Sequence, residues 1–169
     1  DQEDDASLRS RILESYQRLP NGANAAWYEQ TAMGHEGVAA ARAVGRARGI
    51  GTVDVYIATA AGLPNGTLLA AVQADLQERR EIAVDVQVKA PAAVEMDVSA
   101  ELAVREGADF PAVKAAAEQA LASFFSGRRL GGPVLLAELG DLLYHVEGVE
   151  NYRLLAPAAD LAAEDGTLP

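Results

Sequence analysis

Residues 52–88 hold the strongest pattern of secondary structure in this sequence. Its parts are TVDVYIAT at 52–59, the turn sequence GLPNG at 62–66, and IAVDVQV at 82–88. Both flanking segments alternate valine or isoleucine with other residues, which is the period of a half-buried strand. Between them, a turn and an apolar stripe at helical spacing predict a helix with Thr67 as its N-cap, ending near Arg80. The stretch therefore predicts a strand, a helix and a second strand.

Upstream of this stretch, the sequence predicts two helices and one strand. Acidic residues precede apolar residues at helical spacing, so we expect a helix over 5–18, ended by a turn at 20–22. Asn24 is the expected N-cap of a second helix over 24–35. Residues 38–48 alternate larger and smaller side chains, and we interpret them as a strand although their alanine content favours helix.

Downstream, the pattern predicts further strands and helices. A strand over 94–104 is separated from the previous one by Pro91, which breaks or bends a continuous strand. The elements that follow are a helix from Asp109 to Phe125, a glycine-rich loop over 126–133, a helix over 134–145 and a strand over 149–155. The tail from Ala158 has no strong pattern, and we expect it to fray.

This order of elements predicts an α+β fold. We expect two small helix-on-mixed-sheet units, of the split βαβ or ferredoxin-like kind, after an N-terminal helical segment. The predicted boundaries are 1–36 for the segment, 37–91 for the first unit and 92–169 for the second. Two short sequences are similar, HEGV at 35–38 and HVEGV at 145–149, and we call this similarity the echo. It fits either a structural repeat or two separate helix ends that both terminate in glycine.

Composition excludes several classes of protein. The chain has no cysteine, which excludes a disulfide scaffold, a thiol nucleophile and a cysteine-ligated metal site. A formal net charge of −11, with lysine only at Lys89 and Lys114, argues against a nucleic-acid partner. No apolar run approaches the about 20 residues of a membrane-spanning helix. The chain shows no signal-peptide pattern and begins at Asp1, so we expect an acidic, soluble piece of a longer polypeptide.

The charge is unevenly distributed along the chain. Residues 1–50 carry seven acidic and six basic side chains, whereas residues 51–169 carry eighteen acidic and eight basic ones. A basic stretch is formed by Arg42, Arg46 and Arg48. Such asymmetry suits contacts between unlike faces of neighbouring subunits, so Arg42 and Arg46 are predicted interface residues.

Motifs that carry catalytic chemistry are scarce. His35 and His145 lack the local spacing of a metal site, and we predict no metal, no cofactor and no catalytic residue. Arg128 and Arg129 make the glycine-rich loop the nearest thing to an anion-binding loop. Pro133 removes one amide donor from it, and an ordinary connector fits better.

The adjacent aromatic residues Trp27 and Tyr28 cannot face the same way on a helix. We expect one to be buried and treat the other as a candidate interface anchor, the alternative being that both border the core. The candidate interface residues are therefore Trp27, Tyr28, Arg42, Arg46, Arg128 and Arg129.

Several stretches resemble the baseplate J-like proteins of contractile-tailed, Mu-like phages and prophages. Those that match in order and spacing are DDASLRSRIL at 4–13, Gly37-Val38, GTVDV at 51–55, and AVDVQV at 83–88 followed by Ala90-Pro91. The resemblance covers most of residues 4–157 and corresponds to the C-terminal portion of the family. The chain departs from the family where Arg79-Arg80-Glu81 stands in place of a frequent Arg-Pro.

The resemblance implies a non-enzymatic structural subunit of a tail baseplate wedge, without cofactors. Its implied partners are other baseplate proteins and copies of itself, with neither nucleic acid nor membrane, in a virion tail baseplate assembled in the bacterial host cytoplasm. We expect this chain alone to be monomeric or weakly associating. Two alternatives stay open: a ring-forming secretion-apparatus adaptor domain, and a small-ligand-binding or enzymatic α/β domain that uses the Arg128-Arg129 loop.

Overall fold

The computed structural model describes residue 9, residues 12 and 13, and residues 24–169. The helix expected over 5–18 and the turn at 20–22 fall outside the described residues, apart from Arg9, Ile12 and Leu13, which are helical. The elements within 24–169 are α1 (Ala25–Met33), β1 (Ala40–Gly45), β2 (Thr52–Ala58), α2 (Gly66–Arg79), β3 (Asp85–Lys89), β4 (Ala92–Ala93), β5 (Ser99–Val104), α3 (Phe110–Phe124), a 3-10 helix (Gly127–Arg129), α4 (Leu136–Tyr144), β6 (Val149–Ala156) and β7 (Thr167–Leu168).

The stretch from 52 to 88 builds most of a three-stranded sheet with the order β1-β2-β3. β1 runs antiparallel to β2, and β3 runs parallel to β2 after the connection through α2. The predicted strand, helix and strand are thereby confirmed as a βαβ unit. Val55 and Ile57 of β2 are fully buried in a core that also contains Tyr28 from α1 and Val72 and Leu76 from α2. Both helices therefore cover one face of the sheet.

The second half of the chain is built on a two-stranded antiparallel ribbon of β5 and β6, with α3 and α4 packed against it. Its buried apolar side chains include Val113 of α3 and Leu139 and Leu143 of α4. A β-carbon on Gly140 would lie 2.1 Å from the Tyr152 hydroxyl oxygen, so a larger residue at position 140 would displace the Tyr152 ring between α4 and β6. Helices on mixed and antiparallel sheets confirm the α+β class. No helix in the described part of the chain is long and apolar enough to cross a membrane.

The end of the chain is folded back onto the linker between these two halves. Leu161 forms an antiparallel bridge with Val134, and β7 pairs in parallel with β4. Leu168 is buried, with 7% of its surface exposed. The expectation that the tail frays from Ala158 is therefore wrong. Its ordering comes from a strand partner far away in the sequence, which a local pattern does not reveal.

Two strands of the first sheet are shorter than their sequence patterns. β1 ends at Gly45, because Arg46 adopts a left-handed conformation with φ of 63° and starts a turn. β3 begins at Asp85 rather than at residue 82, because the Arg80 side chain donates to three backbone carbonyl oxygens of the preceding turn.

The helix ends match the sequence patterns in part. Asn24 caps α1 as predicted, whereas α2 is capped by Asn65 and not by Thr67. The two glycines of the sequence echo, Gly37 and Gly148, both have left-handed φ values, of 91° and 88°. The strands that follow them pair differently, since β1 belongs to a mixed three-stranded sheet and β6 to an antiparallel ribbon. The echo is therefore a shared helix exit and not a repeated topology.

Candidate functional site

The face of the three-stranded sheet opposite the helices carries a charge cluster around the buried carboxylate of Asp54. The Asp54 side chain is 3% exposed and accepts hydrogen bonds from Arg48 Nε, at 2.7 Å, and from Lys89 Nζ. Arg48 also pairs with the carboxylate of Asp85. Burial by itself would raise the pKa of Asp54, but the two cationic partners outweigh it and hold that pKa below its usual range. The cluster is neutralised within the chain and ties the β1–β2 turn to β2 and β3.

Side chains of the two helices form hydrogen bonds with backbone groups on both edge strands of this sheet. Glu29 of α1, which is 3% exposed, accepts the N–H of Ala43 in the edge strand β1 at 3.0 Å. On the other edge, the Gln73 amide of α2 donates to the Val86 carbonyl at 3.0 Å and accepts the Val88 N–H at 2.7 Å. A further strand would need these same groups to pair. At these positions, therefore, the sheet is closed to strand addition.

Arg42, a predicted interface residue, faces the C-terminal part of its own chain. Its Nε donates to Asp165 Oδ1 at 2.7 Å, and this hydrogen bond raises the pKa of Arg42. The next residue, Gly166, packs on the Tyr56 ring so closely that a β-carbon there would lie 2.7 Å from a ring carbon. Arg42 thus joins the first sheet to the C-terminal segment of the same chain.

The two arginines of the glycine-rich loop have different environments. Arg129 lies 3.6 Å from the centre of the Phe124 ring. It also donates to the Pro133 carbonyl at 2.9 Å and to the Glu138 carboxylate at 2.8 Å, and this last bond lowers the pKa of Glu138. Arg128 is exposed. Because Arg129 is engaged on all these sides, the loop presents one exposed arginine and not an anion-binding pair.

The neighbouring aromatic residues occupy different positions on α1. Tyr28 is 1% exposed and lies in the core, where burial raises the pKa of its hydroxyl. Trp27 is half-buried, with its ring edge-on to Tyr28 at 4.8 Å and the Arg79 guanidinium 5.8 Å from its centroid. The structure therefore leaves Trp27, and not Tyr28, within reach of a partner.

Arg46 lies in the β1–β2 turn at one end of the first sheet, where two isoleucines are strongly exposed. Ile50, in the β1–β2 turn, is 95% exposed, and Ile82, in the α2–β3 turn, is 100% exposed. The two turns are adjacent, since the Gly51 carbonyl accepts the Asp85 N–H at 2.8 Å. We call Arg46, Ile50 and Ile82 the isoleucine tip.

An open groove lies at the opposite end of the same sheet, where β2 ends and α2 begins. Its lining is mainly small and apolar and includes Gly37, Ala60, Ala61, Leu68 and Ala71, together with Glu36. We call this surface the alanine groove. It offers apolar contact area and one negative charge, without paired acid and base groups for catalysis.

The histidines are engaged in separate pairs. His35 Nε2 lies 3.0 Å from the Asp75 carboxylate, and His145 Nδ1 lies 3.1 Å from that of Asp141. Across the residues that the structure describes, no three histidine, aspartate or glutamate side chains are grouped to hold a metal ion.

Sequence reasoning included Arg46 among the interface candidates but missed the two isoleucines of the tip and the whole alanine groove. One signal was available for the tip: Ile50 stands between Gly49 and Gly51, in a turn where an apolar side chain has no core to enter. No comparable signal existed for the groove, because its lining comes from three separate segments that only the fold brings together.

Known proteins resemble this chain along nearly its whole length. The Baseplate J-like central domain matches residues 20–90, and the Baseplate J-like protein C-terminal domain matches residues 96–169. Baseplate protein J of Escherichia phage P2 is 29% identical over 163 residues, which cover 94% of this chain and 54% of that protein. The chain thus spans about half the length of this curated relative.

A solved structure shares the fold. It is the cryo-EM structure of the anti-feeding prophage (AFP) baseplate, 6-fold symmetrised, in which one chain is similar with a TM-score of 0.61 and 14% sequence identity. The similarity covers 98% of the present chain and 41% of that chain.

Proposed function

The chain belongs to the baseplate J-like family, and from this premise we propose that it is a structural subunit of a phage or prophage contractile-tail baseplate. The observation that carries the proposal is the succession of two family domains over residues 20–90 and 96–169. The baseplate J protein of phage P2 and the fold shared with the AFP baseplate chain support it.

In finer detail, the chain acts as a wedge assembly protein through protein–protein contacts and catalyses no reaction. The internally paired charges of Asp54 and Arg129 support this view, because they stabilise the chain itself. Its partners are other baseplate proteins and copies of itself, and not nucleic acid or membrane. It resides in the virion tail baseplate and is assembled in the host bacterial cytoplasm.

We further propose that the chain divides near Pro91 into a first unit over 37–91 and a second unit over 92–169, after the helical segment 1–36. The family matches end and begin on either side of Pro91, which supports this division. The helix α1 within the first 36 residues packs on the first unit, since Tyr28 and Ala32 belong to its core.

Electron microscopy of tails tests the proposed function. Particles are prepared from a host that carries the prophage with this segment deleted, and from one with an epitope on the exposed loop residue Gly107. We expect the deletion to abolish complete baseplates and the epitope label to lie at the baseplate end. Intact, infective tails that lack the protein would contradict the proposal. Loss of secretion with normal tails would instead support a secretion-apparatus adaptor.

A further inference from the structure

The isoleucine tip exposes two apolar side chains to solvent on turns that are held in place by hydrogen bonds. Ile50 and Ile82 are almost fully exposed, on two turns that are hydrogen-bonded to each other through Gly51 and Asp85. Two nearly fully exposed isoleucines on adjacent turns place apolar side chains at the same end of the sheet, whereas exposed apolar residues scattered singly are the usual case.

Arginine side chains hold both turns in place. Arg48 binds the carboxylates of Asp54 and Asp85 and so fastens the Ile50 turn to the sheet. Arg80 donates to the carbonyl groups of the Ile82 turn. A partner would therefore lose little conformational entropy by ordering these turns, which favours binding.

The alanine groove matches the tip in apolar character and complements it in charge. Ala60, Ala61 and Ala71 are exposed and leave room for a branched aliphatic side chain between β2 and the start of α2. The groove also contains the exposed Glu36, and the tip contains the exposed Arg46. Exposed apolar side chains and a positive charge at one end thus match an apolar groove with a negative charge at the other.

We propose that the isoleucine tip of one copy of this chain docks in the alanine groove of a second copy. The two surfaces lie at opposite ends of a sheet whose central strand has seven residues, about 23 Å at the rise of a strand. A contact between unlike ends is heterologous and repeats from copy to copy, so it closes into a ring or extends into a filament. The inference rests on the proposed function, because a baseplate supplies the high local concentration that a small contact needs.

Cysteine cross-linking tests this contact, since the chain contains no cysteine of its own. Two variants of the full 169-residue chain are made, Ile50→Cys and Ala61→Cys, one of them with a mass tag. Mixed and mildly oxidised, they should form the mixed disulfide dimer at least tenfold faster than either variant forms its own dimer. Adding Ile82→Asp to the first variant, or Glu36→Arg to the second, should lower that rate severalfold.

Matched controls separate docking from random collision. Ala112→Cys places a thiol at an exposed position of α3, and its mixture with Ile50→Cys should cross-link at the slow background rate. Urea unfolding verifies that every variant is as stable as the parent chain. Equal rates in all mixtures would overturn the proposal, and so would the fastest dimer forming in Ile50→Cys alone, which would mean contact between two tips.

The outcome is distinguishable from a failure of the proposed function. If cross-linking is at background while tails still label at the baseplate, the tip-to-groove contact is wrong and the baseplate role stands. If the mixed dimer forms rapidly while tails contain none of the protein, the contact is correct and the baseplate role is wrong.

Discussion

Gly127 is pressed against Thr59, so that a β-carbon on Gly127 would lie 1.7 Å from the Thr59 carbonyl oxygen. Thr59 directly follows β2, and Gly127 begins the 3-10 helix of the second half. The N–H of Gly127 also points to the Ala60 carbonyl at 3.5 Å. The loop that carries Arg128 and Arg129 is therefore a packing contact between the two halves of the chain.

The first prediction concerns this contact. Gly127→Ala should lower the free energy of unfolding by about 1–3 kcal/mol or more, because backbone on both sides must move to admit the methyl group. Gly66→Ala is the control, since a β-carbon at Gly66 meets no atom within 4 Å. It should leave stability unchanged or raise it by up to about 1 kcal/mol. Urea denaturation measures both, and equal effects would contradict the packing argument.

The second prediction concerns the pH dependence of stability. The pKa of Asp54 is lowered in the folded chain, so its contribution is present above the unfolded pKa of about 3.9 and is lost as pH falls through the folded value. Asp54→Asn should cost about 1–3 kcal/mol at pH 7, with the difference from the parent shrinking in acid. The exposed Asp97→Asn should change stability by less than about 0.5 kcal/mol. A difference that grows in acid would refute the assignment.

The third prediction concerns the edge of β3. Gln73→Ala removes two hydrogen bonds to backbone groups, a loss of about 1–3 kcal/mol, and uncovers an edge that other strands can join. We expect lower stability together with concentration-dependent association, measured by light scattering. Gln77→Ala, at an exposed position of the same helix, should do neither. If Gln73→Ala and Gln77→Ala associate to the same extent, Gln73 does not protect the β3 edge from pairing with other strands.

The fourth prediction concerns the end of the chain. Leu168→Ala should lower the free energy of unfolding by about 2 kcal/mol or more, because Leu168 is 7% exposed and lies in β7. Leu155→Ala, at a position that is 47% exposed, should have the smaller effect. Hydrogen exchange on the N–H of Val94, which donates to Leu168, provides a second measurement. A fraying tail would leave stability and exchange unchanged.

The sequence could predict much of the fold but less of the interaction surfaces. Alternation at 52–59 and the stripe from Leu68 onwards predict β2 and α2, because such periods report which side of an element is apolar. The same patterns do not predict which partner a charged side chain will bind. Arg42 and Arg129 read as free surface arginines, yet they pair with Asp165 and Glu138. These partners depend on the packing of whole elements.

The local order and spacing of residues are enough to predict the α+β class, the βαβ unit and the resemblance to the baseplate J-like family. Only the folded chain shows that β7 returns to β4 and that the turns carrying Ile50 and Ile82 are adjacent at one end of the sheet. Periodicity reflects interactions between residues that are close in the sequence. The pairing of β7 with β4 and the adjacency of the two turns depend instead on how distant segments pack together.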